Sequence, residues 1–237
     1  MAIRAVTFDF WNTLFREANS AARHDIRISA LSKMCMVSEE EAADALKTVW
    51  AEFSRCHREE QRTLGPQDAV LLAAEVLGLQ IEPPVAETLE KVFATAVIVY
   101  SPVPIEGAIE AVQAAAAAIP IGLISDTGVS PGASLQYIMD RHAFTPHFTA
   151  ITFSDRVGVS KPQPVMFEIT AGALGVKPDE LLHIGDLEYT DVSGAHGVGA
   201  KAALFTAANP VHAHDTRADY VFSNWQEFVD VLPELIR

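Results

Sequence analysis

The sequence contains few cysteines, and they are isolated from each other. Cys35 and Cys56 are the only two in 237 residues, with no CxxC pair and no histidine at zinc-ligand spacing beside them. Isolated thiols in apolar helical surroundings are usually packing residues, so we expect neither a zinc site nor a disulfide. The N-terminus also lacks the apolar core of a signal peptide, which favours a cytoplasmic protein of a reducing compartment.

A long apolar run is missing as well. The most apolar stretch, residues 107–124, is interrupted by Glu110, Gln113 and Pro120. A membrane span needs about 20 predominantly apolar residues, so this stretch predicts a helix, a turn and a strand instead. We therefore expect no association with a membrane.

Basic residues are scarce compared with acidic ones. Lys and Arg number 17 against 31 Asp and Glu, which gives a formal net charge of −14. Nucleic acid and anionic membranes are bound by basic faces, so neither is an expected partner. Apolar residues make up 49% and charged residues 20%, which is typical of a globular chain and excludes a disordered or fibrous one. We expect a small-molecule partner and a monomer or homodimer.

The order of predicted elements indicates an α/β protein with an insertion. A short apolar strand over residues 5–10 is followed by a stretch without strands, in which the periodicity predicts four amphipathic helices over 21–36, 39–61, 66–78 and 84–99. From residue 101 onwards, strands and helices alternate, which favours a parallel sheet covered by helices. We predict a Rossmann-like α/β core formed by residues 1–16 and 101–237, with an all-helical insert over 17–100.

Functional side chains stand where the predicted strands end. In an open parallel sheet, ligands bind at the carboxyl ends of the strands, so these residues should converge. Several carboxylates in one place repel each other unless a cation lies among them, and Mg²⁺ fits that role best. A remaining carboxylate is then available as a nucleophile towards phosphorus. The residues in question are Asp9, Ser125, Asp126, Lys161, Asp186 and Asp191.

Four segments together resemble the ordered motifs of haloacid dehalogenase-like hydrolases. They are FDFWNTL at 8–14, LISDTG at 123–128, VGVSKPQPVMF at 157–167 and HIGDLEYTDVSGAHGVG at 183–199. The resemblance covers the α/β portion from end to end, and the helical insert stands where that superfamily has its cap. It implies a hydrolase, with phosphatase the expected activity and a small phosphorylated metabolite the expected substrate.

The resemblance also implies a role for each matching residue. Asp9 resembles the nucleophile, Lys161 the charge-neutralising lysine and Ser125 the hydroxyl that binds phosphate. The implied metal is Mg²⁺, held by Asp9, Asp186, Asp191 (often through water) and the backbone carbonyl of Trp11. The implied substrate-binding set is Ser125, Asp126, Thr127, Lys161 and Trp11.

One position departs from the phosphatase pattern. Typical phosphatases of the superfamily have a general acid/base aspartate two residues after the nucleophile, where this chain has Trp11. Indole cannot titrate near neutrality, and the proton transfer it fails to provide is typically worth about 10²–10⁴-fold in rate. Several explanations of Trp11 remain open. In a phosphatase, the leaving group could need no proton, or a residue of the insert could supply the proton. Alternatively, the chain is a dehalogenase, or the site binds a phosphorylated ligand with weak turnover.

The dehalogenase alternative has arguments on both sides. Haloacid dehalogenases carry a large aromatic residue, tyrosine, at the position of Trp11. They need no metal and lack the late acidic pair that Asp186 and Asp191 form here. Their substrate-holding cap arginine has Ala51 as its loosely aligned counterpart. Phosphonate hydrolysis through a cap lysine, Lys33 or Lys47, has no surrounding motif to support it.

Other charged or polar residues have ordinary structural interpretations. His183 lies inside an apolar strand and is expected to be a core histidine with its hydrogen bonds satisfied. Arg23, Arg27 and Arg55 lie on predicted insert helices, where most arginines are solvated and one could contact substrate.

Overall fold

The computed structural model describes residues 2–237, which form two compact units. Of the described residues, the first unit comprises 2–17, Val103–Asp126 and Met139–Arg237, and the second comprises Ala18–Pro102 and Thr127–Ile138. The strands are β1 (Ala5–Phe8), β2 (Phe15–Arg16), β3 (Val103–Pro104), β4 (Ile121–Ser125), β5 (Ala150–Phe153), β6 (Leu181–Gly185), β7 (Lys201–Phe205) and β8 (Tyr220–Phe222). The α-helices are α1 (Ser20–Cys35), α2 (Glu39–Arg55), α3 (Pro66–Leu77), α4 (Pro83–Val99), α5 (Ala108–Ala118), α6 (Gly132–Arg141), α7 (Ser154–Val157), α8 (Pro164–Leu174), α9 (Ser193–Gly197) and α10 (Trp225–Leu235).

The first unit is built around a six-stranded parallel sheet with the order β5-β4-β1-β6-β7-β8. The central strands are buried along their whole length, as expected for a sheet covered on both faces. This confirms the predicted α/β fold class. Because β1 lies between β4 and β6, the residues that follow these three strands share one edge of the sheet.

Two apolar layers hold the helices against this sheet. One contains Phe167 and Met166 of α8 packed with residues of β4, β6 and β7. The other is aromatic: the Trp225 ring stacks on Phe205 at 4.2 Å between centroids, and Phe228 lies edge-on to Phe8 at 6.0 Å. Burial of this apolar surface fixes the strand ends in place.

The second unit is helical. Helices α1 to α4 surround a core that includes Leu46, Leu89 and Phe93. Helix α2 begins at a complete capping box, in which the Ser38 hydroxyl accepts from the Glu41 backbone and the Glu41 carboxylate accepts from the Ser38 backbone. The sequence predicts both this helix start and the left-handed end of α3 at Gly78.

Arg23 and Arg27 are buried in the helical unit, contrary to the expectation that most insert arginines are solvated. The Arg23 guanidinium donates to the carbonyl of Tyr100 at 2.9 Å, and Arg27 donates to the carbonyl of Phe93 at 3.1 Å. Arg27 also lies over the Trp50 ring, 5.7 Å from its centroid. A weakly hydrated, planar guanidinium tolerates such burial better than an ammonium does.

The structure differs from the sequence expectation in two further places. Residues Thr127–Ile138 pack with the helical unit, whereas we expected them in the α/β core. The Ser134 hydroxyl, for example, donates to the carbonyl of Ala94 at 2.8 Å. In addition, β2 and β3 pair antiparallel at the two ends of the insertion, where no strand was predicted.

None of the helices within residues 2–237 combines the length and the apolar character needed to cross a bilayer.

Candidate functional site

Asp9 stands directly after β1, at the start of a tight turn in the α/β unit. Its backbone N–H donates to the carbonyl of Ile184 on β6 at 2.9 Å, and its side chain is buried. Asn12 adopts a left-handed conformation (φ 52°), and its N–H donates to the carbonyl of Phe15 at 2.7 Å. Asparagine tolerates that conformation better than most residues, so the turn fits the sequence that forms it.

Lys161 connects the nucleophile position to a second carboxylate. Its ammonium donates to Asp9 Oδ1 at 2.7 Å, to Asp191 Oδ1 at 2.6 Å and to the Ile124 carbonyl at 3.1 Å. The lysine is only 2% exposed. Its backbone N–H donates to Asp126 Oδ1 at 2.9 Å, which fixes the loop that carries it. A buried ammonium with three acceptors has no freedom to reorient, so its charge is held beside Asp9.

The end of β6 brings Asp191 close to the sheet. A Cβ at Gly185 would overlap the Asp191 side chain and lie 2.6 Å from Oδ1. Glycine is therefore required at 185 because the carboxylate occupies the space of a side chain. Asp186 follows immediately, and its Oδ2 accepts a hydrogen bond from the Asn209 amide at 2.8 Å.

Both oxygens of the Asp191 carboxylate are occupied by donors. Oδ1 accepts from Lys161 and from His183 Nε2 at 3.0 Å. Oδ2 accepts from the Leu187 backbone N–H at 2.9 Å and from the Thr190 hydroxyl at 3.3 Å. Four donors on one buried carboxylate make Asp191 the most constrained acid of the site.

The charges of the site perturb one another. Burial raises the pKa of Asp9 to about 8; Lys161 opposes this shift, while Asp191 and Asp186 add to it. Burial and Asp191 also raise the pKa of Asp186 to about 6, opposed by the Asn209 hydrogen bond. Burial likewise acts to raise the pKa of Asp191, but Lys161 and His183 together outweigh it and hold that pKa well below its usual range. The pKa of Lys161 is raised above its ordinary value because Asp191 and Asp9 outweigh its burial.

This donor set fits a hard divalent cation with few protein ligands. Within residues 2–237, no three His, Cys, Asp or Glu side chains form a ready-made metal cluster. Mg²⁺ needs only one or two carboxylates beside water and substrate oxygens, and Asp9 and Asp186 provide two that repel each other.

Trp11 is partly exposed beside this turn. Its ring lies edge-on to Phe10 at 5.0 Å between centroids, and its backbone forms a bridge with Phe15. The indole has one N–H donor and no acceptor or titrating group. Trp11 therefore presents a bulky, largely apolar ring and cannot transfer a proton near neutral pH.

The remaining predicted site residues lie after β4. Ser125 is its last residue and is fully buried, while Asp126 is partly exposed and accepts from the Lys161 backbone. Thr127 follows in the chain but belongs to the helical unit. The α/β unit thus brings together Asp9, Asp126, Lys161, Asp186 and Asp191. Trp11 and Ser125 lie in the same unit, two residues after Asp9 and one before Asp126, and Thr127 joins them only by its place in the sequence.

Sequence reasoning missed three residues that support the site. Asn209 bonds the Asp186 carboxylate from a loop after β7. His183 is buried as expected, but its partners are Asp191 and the Thr7 hydroxyl, 2.9 Å from Nδ1. The available signal was polarity: Thr7 and His183 are the only polar side chains in β1 and β6.

Comparison with known proteins identifies a matching family and several similar proteins. The model of the haloacid dehalogenase-like hydrolase family matches residues 3–199. A glyceraldehyde 3-phosphate phosphatase from Pyrococcus furiosus is 34% identical over 88 residues, which cover 36% of this chain and 37% of that protein. A phosphoserine phosphatase from Thermus thermophilus is 39% identical over 56 residues, 24% of this chain and 22% of that protein. The chain spans less than two fifths of the length of either relative.

Solved structures match over almost the whole chain. An HAD phosphatase from Thermococcus onnurineus superposes with a TM-score of 0.69 at 19% identity, covering 97% of this chain and 98% of the other. A 2-haloacid dehalogenase from Pseudomonas syringae pv. Tomato superposes with a TM-score of 0.74 at 18% identity, covering 98% and 99%. At these identities the likeness establishes the fold alone.

Proposed function

The chain belongs to the haloacid dehalogenase-like hydrolase family, and on that premise we propose that it is a Mg²⁺-dependent hydrolase of a small phosphorylated metabolite. The observation that carries this proposal is the buried Lys161 ammonium, which lies between Asp9 Oδ1 and Asp191 Oδ1. A fixed positive charge beside a buried carboxylate serves both to orient that carboxylate and to attract an anionic substrate. The phosphatase names of the two curated relatives support the same substrate class.

Asp9 acts as the nucleophile in this proposal. Lys161 occupies Oδ1, which leaves Oδ2 to form a bond to phosphorus while the bond between phosphorus and the leaving oxygen breaks. The leaving oxygen departs with the electron pair, and the product on the protein is an acyl phosphate of Asp9. Water then cleaves that acyl phosphate, releasing inorganic phosphate and restoring the carboxylate. Ser125 donates to a phosphoryl oxygen, and the charge of Lys161, whose three N–H groups are already engaged, attracts the phosphoryl group.

The residues present would hold Mg²⁺ through Asp9, Asp186 and the backbone carbonyl of Trp11. When bound, the cation supplies charge compensation for the carboxylates and for the phosphoryl oxygens. Asp191, with both oxygens hydrogen-bonded, supports the site by holding Lys161 and the Leu187 backbone.

Trp11 narrows the substrate class. A phosphatase with an acid at this position can protonate an alkoxide leaving group, and an indole cannot. Substrates whose leaving group is already stable as an anion, such as acyl phosphates and phosphoanhydrides, therefore suit this site best. Simple alkyl phosphates should be turned over more slowly.

The test is a substrate panel with purified protein, with Mg²⁺ and with EDTA. It contains acetyl phosphate, nucleoside diphosphates, sugar phosphates and 2-haloacids, and phosphate or halide release is measured. We expect Mg²⁺-dependent phosphate release, fastest with acetyl phosphate, and its loss in Asp9→Asn. Asp230→Asn changes an exposed carboxylate on α10 and should be unaffected. Turnover retained in Asp9→Asn, or halide release without metal, would overturn the proposal.

A further inference from the structure

Two polar side chains are paired inside the otherwise apolar centre of the sheet. Strands β1 and β6 run parallel with Thr7 opposite His183, and both residues are fully buried. Alternate residues of a strand face the same side, so Thr7 shares a face with Asp9, and His183 shares one with Gly185. Gly185 is the position over which the Asp191 side chain lies. The register of two strands therefore places Thr7, His183 and Asp191 in a row.

The hydrogen bonds along this row have a defined direction. A carboxylate can only accept, so His183 Nε2 is the donor in its 3.0 Å bond to Asp191 Oδ1. A ring with its proton on Nε2 accepts at Nδ1, and the Thr7 hydroxyl, 2.9 Å away, donates there. The Phe167 ring lies edge-on to the imidazole at 5.2 Å and restricts its rotation. The histidine thus presents one N–H to Asp191 in a fixed orientation.

Asp191 in turn orients two parts of the site. It shares Oδ1 between His183 and Lys161, whose ammonium also reaches Asp9. Its other oxygen, Oδ2, holds the Leu187 backbone, next to Asp186. If the His183 donor is lost, Oδ1 keeps Lys161 as its single partner, so the carboxylate is held less firmly and the lysine and the 186–187 backbone can shift with it.

We infer that His183, held by Thr7, is a positioning residue that fixes the Asp191 carboxylate and thereby the Lys161 ammonium and the Asp186 backbone. The inference rests on the proposed function for its catalytic consequence, because it names support for the same site. Removing a side chain that orients metal-site or catalytic groups in this way typically lowers metal affinity or activity by about 10- to 100-fold.

The test replaces His183 with residues whose side-chain amide imitates either Nε2 or Nδ1 of the imidazole ring. A glutamine amide reaches about as far as Nε2, and an asparagine amide reaches about as far as Nδ1. We expect His183→Gln to keep most of the Mg²⁺ affinity, and His183→Asn and His183→Leu to lose about 10- to 100-fold. The readouts are Mg²⁺ affinity by calorimetry and kcat with acetyl phosphate. A purely structural histidine would give no such difference between Gln and Asn.

A matched control is available at the surface. His196 Nε2 lies 3.0 Å from Asp219 Oδ2, the same distance as in the His183–Asp191 pair, but the residue is exposed. His196→Gln and His196→Asn should leave Mg²⁺ affinity and kcat unchanged. Equal Mg²⁺ affinity and kcat in wild type, His183→Asn and His183→Leu would overturn the inference.

A second variant decides the question if the His183 substitutions do not fold. Thr7→Val keeps the shape of the side chain and removes the hydroxyl that donates to Nδ1. Nitrogen NMR of the wild type should show His183 protonated on Nε2, and Thr7→Val should lower that preference and weaken Mg²⁺ binding several-fold. A wild-type ring protonated on Nδ1 would overturn the inference. A wild type that binds no Mg²⁺ and releases no phosphate would instead overturn the proposed function.

Discussion

At the scale of single residues, Trp11 has the largest expected effect on the chemistry. It lies two positions after the proposed nucleophile, and its indole has no group that titrates near neutral pH. The rest of the acidic and basic set (Asp9, Lys161, Asp186 and Asp191) is brought together within one unit. In the proposed function, the charge arrangement and the lack of a proton donor at residue 11 are separate properties, and each can be tested by itself.

Trp11→Asp should speed the hydrolysis of alkyl phosphates, by up to about 10²-fold, because it introduces a proton donor for the leaving oxygen. Acetyl phosphate, whose leaving group needs no proton, should change much less. The measurement is kcat/KM against the pKa of the leaving group for wild type and variant. Trp11→Phe, which keeps the aromatic ring, is the control. A folded Trp11→Asp protein with an unchanged slope would show that proton donation is not what the site lacks.

The principal acids and the lysine could be predicted from sequence because each directly follows or lies near a strand in a recognisable motif. Their supporting residues could not. Asn209 has no motif around it, and its bond to Asp186 depends on the path of a loop after β7. His183 was interpreted as a core residue because its strand is apolar; its partner Thr7 is 176 residues away in the sequence and is found only from the strand register.

At the scale of elements, the transition from β6 to the next helical turn determines where Asp191 lies. The chain turns at Gly185 and then forms a π-helical segment over Glu188–Val192, which brings Asp191 back against the strand. This return is possible only because residue 185 has no side chain. The position of Asp191 in the site therefore depends on the absence of a side chain at residue 185.

Gly185→Ala should destabilise the protein by about 1–3 kcal/mol and weaken Mg²⁺ binding, since the added methyl group overlaps the Asp191 side chain. Gly172→Ala is the matched control, because Gly172 lies exposed in α8 with no atom within 4 Å of an added Cβ. That change should stabilise by about 0.5–1 kcal/mol, as expected for glycine in a helix. Denaturant unfolding and Mg²⁺ calorimetry measure both. Equal behaviour of the two variants would contradict the steric argument.

Element boundaries were predictable where local chemistry sets them and not where packing does. The Ser38–Glu41 capping box and the glycine after α3 are local signals, and both helix ends are observed there. Strands β2 and β3 have two residues each, too few to give a periodicity. The membership of Thr127–Ile138 in the helical unit depends on contacts such as Ser134 with Ala94, which no local pattern reveals.

At the scale of the whole molecule, the net charge of the protein and the charge of the proposed substrate have the same sign. The net charge of −14 produces a field that opposes the approach of a phosphorylated ligand. Attraction of the proposed substrate must therefore come from groups inside the site, Lys161 and the proposed Mg²⁺. From the net charge we expect no long-range electrostatic steering of an anionic substrate, and this expectation has a measurable consequence.

Salt should increase kcat/KM for an anionic substrate. Raising the ionic strength from about 0.01 to 0.15 M shortens the Debye length from about 30 to 8 Å and screens the distant acidic residues more than the contacts inside the site. The measurement is kcat/KM for acetyl phosphate at constant free Mg²⁺, with NaCl and KCl compared to exclude a specific ion effect. A fall in kcat/KM with both salts would indicate that local positive charge dominates the approach.

The Lys161–Asp9 ion pair also has a consequence for how the molecule is assembled. It joins residues 152 positions apart, with the whole helical unit between them. Closing so long a loop has an entropic cost, and contacts of this kind form slowly compared with local helices. In a chain whose helices have folded but whose strands are unpaired, Asp9 and Lys161 are not in contact. Such a chain has no site. Activity is therefore the last property that this chain gains on folding, and the first that it loses when the strands separate.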